Sequence, residues 1–359
     1  GQPLDHRRRR ALANPAPLSA APLVSPAPPR RILVLGGTGT IGRATLRALV
    51  ARGHTVVALA RAPASGPGAG SQATRGDLVR DFPGVQWRWA TPLDADALAR
   101  EGFGHERIDV LVSCLASRTG APHDAWAVDH QAHLHALAAA QRAGVEHIVQ
   151  LSALCVQKPR LAFQHAKLAY EAALMQSGVP YTIVRPTAFF KSLSGQVQRV
   201  KDGKPFLVFG DGTLTACKPI ADDDLAAFMA DCVDDPAQRH RILPIGGPGE
   251  AITPLQQAQI LFGLLGRPMR VRRVPVALMD GVIAGLGLAA RALPRLQEKA
   301  EFARIGRYYA TESMLVWDAA AGRYDAEATP SYGTRTLADH YASLLRGEVR
   351  ADLGDHAAF

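Results

Sequence analysis

A chain of 359 residues with 47% hydrophobic and 20% charged residues can bury a sizeable core, as one large domain or two small ones. Its net charge of +9 is uneven: residues 1–31 hold six Arg against Asp5, which puts +5 there and +4 on everything else, too little to argue for a nucleic-acid partner. Cys114, Cys155, Cys217 and Cys232 are widely spaced with no C-x-x-C pair, so a structural zinc or an iron–sulfur cluster lacks a ligand set, and no metal is expected.

Residues 1–30 are rich in Pro, Ala and Arg without a long apolar run. They read as a disordered extension; a transit-peptide remnant is the other reading of such an Arg-rich, acid-poor segment. "RILVLGGTGTIGRATLRALVARGHTVVALAR" (31–61) is a β-rich run, a glycine turn, a helical pattern and a second strand, which makes a complete βαβ unit. Further strand-length apolar runs at 85–90, 108–116, 147–153 and 181–189 alternate with helical patterns at 124–144 and 166–178. The alternation predicts an α/β protein with a Rossmann-type, doubly wound parallel sheet over residues 31–190.

Residues 191–350 change rhythm and are expected to form a smaller C-terminal substrate-binding part with elements returning to the Rossmann core, followed by a tail at 351–359. "FLVFGDGTLTACKPI" predicts a hairpin-like stretch, and "ADDD" the start of a helix. The nearly apolar run at 273–300 carries Asp280, Arg291, Pro294 and three glycines, so no transmembrane segment is predicted. A buried or pocket-lining helix is one reading; a surface that holds a large apolar ligand or touches a membrane peripherally is the other.

Gly36, Gly39 and Gly42 form G-x-x-G-x-x-G in the required strand–turn–helix–strand context. Glycines let the backbone approach a pyrophosphate, whose charge is met by amides at the helix start. Thr38 and Thr40 add hydroxyl donors, and Ile41 lies within the same loop. The second strand ends on Arg61 rather than on an acid; a guanidinium there, aided by Arg43, suits a 2′-phosphate and favours NADPH over NADH.

Ser152 ends the strand that carries the catalytic Ser in carbonyl-reducing relatives of this fold, and Lys167 stands one helical turn after Phe163 on the same face. No Tyr in the chain has Lys four residues on: Tyr170 is followed by Leu174, and Tyr181 by Arg185. Ketone reduction makes an alkoxide that needs a phenol beside a lysine, so that chemistry is excluded. Reduction of a conjugated carbon–carbon double bond tolerates the loss, and so does binding NADPH without turnover. Lys167 is the candidate for ribose binding and proton supply, with Phe163 packing beside the nicotinamide or substrate. Phe189, Phe190 and Lys191 follow the last parallel strand, at the edge where substrates sit in such folds. His130 and His133 lie one turn apart without a further ligand set and read as helix-surface or sheet-packing residues.

Seven blocks together resemble one family: "SCLASRTG", "WAVDHQAHLHAL", "LSALCVQKP", "FQHAKLAYE", "RPTAFFKSLSGQ", "GDGTLTACKPI" and "ESMLVWDAAAGRYDAEATPSYGTRTL". They resemble the NADPH-dependent 3,8-divinyl (proto)chlorophyllide 8-vinyl reductases, atypical short-chain dehydrogenases with NmrA-like relatives, over about residues 31–350. The resemblance implies reduction of the 8-vinyl group of a chlorophyllide-type tetrapyrrole to ethyl, in the cytoplasm of a photosynthetic bacterium, or in a chloroplast on the transit reading. It implies a catalytic group of Lys167, Phe163 and Ser152, a pigment carboxylate at Lys191, pigment contacts at Phe189 and Phe190, and His165 as a candidate near the pigment's magnesium. "WRWATPLDADAL" lacks the Gly-Asp that contacts adenine in many relatives. A non-catalytic NmrA-like NADP-binding regulator or assembly factor, and an isoflavone-reductase-like enzyme, remain alternatives; the oligomeric state is not legible.

Overall fold

The structure is a computed structural model and describes residues 28–61 and 74–349; the extension before residue 28 and the tail after 349 lie outside the described residues. Seven parallel strands form the central sheet in the order β3-β2-β1-β4-β5-β6-β8. They are β1 (Arg31–Leu35), β2 (Thr55–Ala60), β3 (Val85–Trp89), β4 (Val110–Ser113), β5 (His147–Leu151), β6 (Tyr181–Pro186) and β8 (Arg241–Ile245). The register is regular, with Ile32 opposite Val56 on one side and Val110 on the other. Both faces are covered, which is why β1, β2 and β4 read as unbroken aliphatic runs instead of alternating ones.

On one face the helices Thr40–Ala51 and Asp222–Asp234 pack together through Leu46, Leu49, Leu225 and Met229. Arg52 pins them by reaching Asp231 at 2.6 Å and Asp234 at 2.8 Å. The other face is closed by the helices His133–Arg142 and Ala162–Gln176, with Leu137, Tyr170 and Leu174 against Leu33 and Ile148. The strand order reverses at β1/β4, and the carboxyl ends of β1, β4, β5 and β6 open on one edge.

Beyond β6 the expected hairpin is not formed. β7 (Phe206–Phe209) pairs parallel with β9 (Val271–Val274), more than sixty residues on, because Gly210 and Gly212 turn the chain away after β7 instead of folding it back. The predicted helix at "ADDD" does form, as Asp222–Asp234, with three acids in its first turn. A short antiparallel pair, β10 (Val316–Asp318) and β11 (Arg323–Asp325), completes the C-terminal part. The apolar run becomes the helix Val276–Ala292, which is not buried: Ala290 alone is enclosed, while Leu278, Val282 and Leu288 are at least half exposed. Its inner side rests on the helix Gln297–Thr311 and the short turn Pro294–Leu296, and those exposed side chains lie on the remaining surface.

Candidate active site

β1 ends in the glycine loop, at the point where the sheet order reverses. Gly36 has φ +71°, and a Cβ there would lie 2.6 Å from the Cys114 carbonyl carbon, so the turn passes hard against the end of β4. A Cβ on Gly42 would come within 2.0 Å of Gly36 O, which lets only glycine bring the helix this close to the strand. Gly39 differs: it is exposed, with its nearest would-be contact at 3.4 Å. It precedes the helix Thr40–Ala51 with no capping side chain and no acid in the first turn. The first-turn amides of Thr40, Ile41 and Gly42 have no intrahelical acceptor and face an open cradle. This geometry fits a pyrophosphate.

Lys191 adds a cation to that cradle. Its Nζ lies 3.4 Å from Thr40 Oγ1, at the start of the helix that follows the glycine loop. Arg61 is exposed at the end of β2. Arg43 donates from Nε to Thr38 O at 3.1 Å and lies over the Phe82 ring, 5.7 Å from its centroid. Arg61 thus follows the carboxyl end of β2, and Arg43 lies in the first turn of the helix Thr40–Ala51.

Lys167 is buried, and its Nζ donates to Asp129 Oδ1 at 3.0 Å. Asp129, itself fully buried, also accepts from Ser117 N at 3.1 Å and from Ser117 Oγ. Asp129 sits in a π-helical stretch, Ala125–Ala132, whose wider turns interrupt the α-helical phase. The sequence reading passed over this carboxylate; its available signal was an acid on an otherwise apolar stretch, "AWAVDHQA". One turn before Lys167, Phe163 is half-buried and packs in an apolar cluster with Leu161, Ile305 and Met314. The nearby phenols are engaged elsewhere: Tyr170 is enclosed and burial pushes its hydroxyl upward, Tyr308 bonds Cys155 O and Lys158 O, and Tyr309 Oη lies 3.8 Å from Cys155 Sγ.

Other expected residues fall elsewhere. Ser152 Oγ donates to Glu171, which also accepts from Arg185 Nε at 3.2 Å; the hydroxyl is buried in that network, one helical turn beyond Lys167 at Glu171. His165 is exposed, on the helix side away from buried Lys167. Phe190 is a core residue at 4% exposure, packed on the His340 ring. Phe189 is partly buried against the central core. His133 uses both ring nitrogens, toward Val128 O at 2.8 Å and Ser113 Oγ at 2.9 Å, and burial pushes it down to about 4, as expected of a sheet-packing histidine.

The motif blocks meet over this site. Gln157 of "LCVQKP" donates to Leu315 O at 2.7 Å and accepts from Trp317 N at 2.8 Å. Lys158 pairs with Glu312 at 2.7 Å and lies 4.0 Å from the Trp317 ring centroid. Although burial disfavours the Glu312 charge, its bonds with Lys158 and Tyr324 hold the carboxyl below its ordinary range. The segment after β5 is thereby clamped to the C-terminal part, which fixes the wall beside Phe163.

Comparisons agree with this geometry. A family model described as NAD(P)H-binding matches residues 36–236. The divinyl chlorophyllide a 8-vinyl-reductase, chloroplastic, of Oryza sativa subsp. indica is 48% identical over 354 residues, covering 96% of this chain and 86% of that protein. Photosystem II assembly factor Ycf39 of Synechocystis sp. is 26% identical over 69% of this chain and 72% of its own length. Among solved structures, the NADPH-dependent quinone oxidoreductase QOR2 of Escherichia coli with NADPH superposes with a TM-score of 0.61 at 19% identity, over 88% of this chain and 99% of that one, a likeness of fold. An NAD(P)H-binding Rossmann core joined to nearly half-identical sequence over almost all of this chain and most of its relative has one consequence: the protein belongs to the divinyl chlorophyllide a 8-vinyl-reductase family.

Proposed function

We propose that the chain reduces the 8-vinyl group of a divinyl chlorophyllide-type pigment to ethyl, with NADPH as reductant. The observation that carries this reading is the buried Lys167–Asp129 pair one helical turn after Phe163: a cation held in place, with Phe at the position where a carbonyl reductase keeps its Tyr. NADPH bound at the glycine loop supplies a hydride. Converting vinyl to ethyl would take that hydride and one proton, so the chain has to orient the pigment, exclude water and supply the proton. Lys167 holds the ribose and donates that proton directly or through a water it orders; Asp129 and Ser117 keep its amine from swinging away. Phe163, with Leu161 and Ile305, offers an apolar wall for a flat macrocycle and keeps water from the hydride path. Arg61 and Arg43 select NADPH through its 2′-phosphate, and Lys191 meets the pyrophosphate.

No described helix is long and apolar enough to cross a membrane. Peripheral contact with a membrane is part of this reading, supported by the exposed side of Val276–Ala292 at Leu278, Val282 and Leu288, with the cytoplasm of a photosynthetic bacterium as its setting. Mixing the protein with NADPH and divinyl chlorophyllide tests the reaction: the Soret band shifts as the vinyl conjugation is lost. Folded protein that binds NADPH and leaves the band unmoved is the outcome of the regulator or assembly-factor alternative.

A further inference from the structure

A cleft lies beside the machinery described above. It has a volume of about 290 Å³ and lies between the helices Val276–Ala292 and Gln297–Thr311 and the segment after β5, lined by Arg160, Arg304, Arg307, Asp280, Ile283 and Tyr308. Three guanidinium groups face one carboxylate there. Each is anchored at one edge and exposed at the other. Arg160 reaches Glu312 at 3.1 Å, Arg304 reaches Glu301 at 3.0 Å, and Arg307 pairs with Asp280. Glu312 and Glu301 are almost buried, at 8% side-chain exposure, while Arg160 and Arg304 are about half exposed. Anchoring restricts the arginine rotamers and leaves N–H donors directed outward, a preorganised arrangement for a bidentate carboxylate.

The cleft continues the apolar wall of the active site. Leu161 lines it and also belongs to the cluster that holds Phe163 and Ile305. Ile305 and Phe163 flank Gly120, where an added Cβ would lie 2.9 Å from one and 3.5 Å from the other. The ordered sequence is thus Lys167, Phe163, an apolar floor, then three arginines. An elongated apolar molecule with its reacting group at one end and an anion at the other matches that sequence. A chlorophyllide has this form: its free propionate is on the ring opposite the one bearing the 8-vinyl group, whereas in an esterified chlorophyll that charge is gone.

We propose that the Arg160–Arg304–Arg307 cleft is the carboxylate subsite of the pigment, and that it makes the enzyme select the free acid over the ester. The inference rests on the proposed reduction for the identity of the pigment. The full chain with NADP+ is titrated with divinyl chlorophyllide a and with its methyl ester, followed by pigment fluorescence, and turnover of both is measured separately. The acid is expected to bind about tenfold more tightly or better. Arg160→Gln with Arg304→Gln lowers acid affinity to the ester's level and leaves the ester unchanged. Arg307→Gln, which removes the third guanidinium, is likewise expected to lower acid affinity and to leave the ester unchanged. Equal affinity for acid and ester overturns the proposal, as does a double variant that weakens both alike or a protein that binds neither. Preferential acid binding without reduction of the vinyl group would sink the reductase reading and keep the subsite; reduction of acid and ester with equal affinity and efficiency would do the reverse.

Discussion

Lys167 Nζ donates to Asp129 Oδ1 across 3.0 Å, with the carboxylate fully enclosed and the lysine side chain 11% exposed. Breaking one partner of such a pair leaves the other charged and buried, at a cost of about 3–5 kcal/mol. Asp129→Asn and Lys167→Met are each expected to lose stability on that scale in urea denaturation. The double variant recovers most of it, since no uncompensated charge remains, yet stays inactive toward divinyl chlorophyllide. A double variant as unstable as the worse single one would show that the two residues do not act as a pair.

The glycine loop separates space for the fold from space for the ligand. Gly42→Ala puts a methyl 2.0 Å from Gly36 O, so the strand–helix junction must open; a loss of about 1–3 kcal/mol is expected from such overpacking. Gly39→Ala meets nothing closer than 3.4 Å, but its methyl enters the cradle itself. It is expected to keep its melting temperature and to lose NADPH affinity about tenfold, from displaced amide hydrogen bonds to the phosphates. Thermal melts beside NADPH fluorescence titrations distinguish the two. Equal effects of both variants on both measurements would contradict the division.

The Rossmann core was legible because aliphatic runs in β1, β2, β4, β5 and β6 have no other way to be buried, and because three glycines mark a turn that side chains would block. The C-terminal part was less so. β7 and β9 are four residues each and find one another across more than sixty positions, which no local pattern encodes. Asp129 went unnoticed because its π-helical stretch shifts residues out of the 3.6 period on which face assignments depend. Phe190 and Lys191 are neighbours that part company, one into the core with His340 and one out to Thr40. A short 3₁₀ turn at Lys191–Leu193 sets that divergence, and it is invisible without the backbone.

Arg61 and Arg43 supply the argument for NADPH. Arg61 is exposed, so its removal should leave the fold intact. Arg61→Asp replaces a phosphate partner with an acid that suits a free ribose 2′-hydroxyl and repels a 2′-phosphate. The ratio of kcat/KM for NADPH over NADH is expected to fall about a hundredfold, from loss of one charge-assisted pair and gain of one repulsion. An unchanged ratio would remove Arg61 from the cofactor site and leave Arg43 as the candidate.

Asp222 opens the helix Asp222–Asp234 with a buried Oδ1 that has no hydrogen-bond partner among the described residues. Burial first, and then the Asp223 charge, push its carboxyl up to about 6 against the pull of Lys191 and Arg335. The folded value lies above the ordinary 3.8, so the native state holds this proton more tightly than the unfolded chain does. Its contribution is therefore fully present below pH 3.8 and is lost as pH rises through about 6. Above that, the ionised group lowers native stability by about 3 kcal/mol. Asp222→Asn carries no charge at any pH, and Asp223 and Asp224 still face the helix N-terminus. The variant should be more stable than the parent at pH 7.5 by about that amount, with the difference shrinking steadily toward pH 4. Denaturant midpoints across this range check the sign, and a gap that widens on acidification would mean that Asp222 is stabilised as the carboxylate.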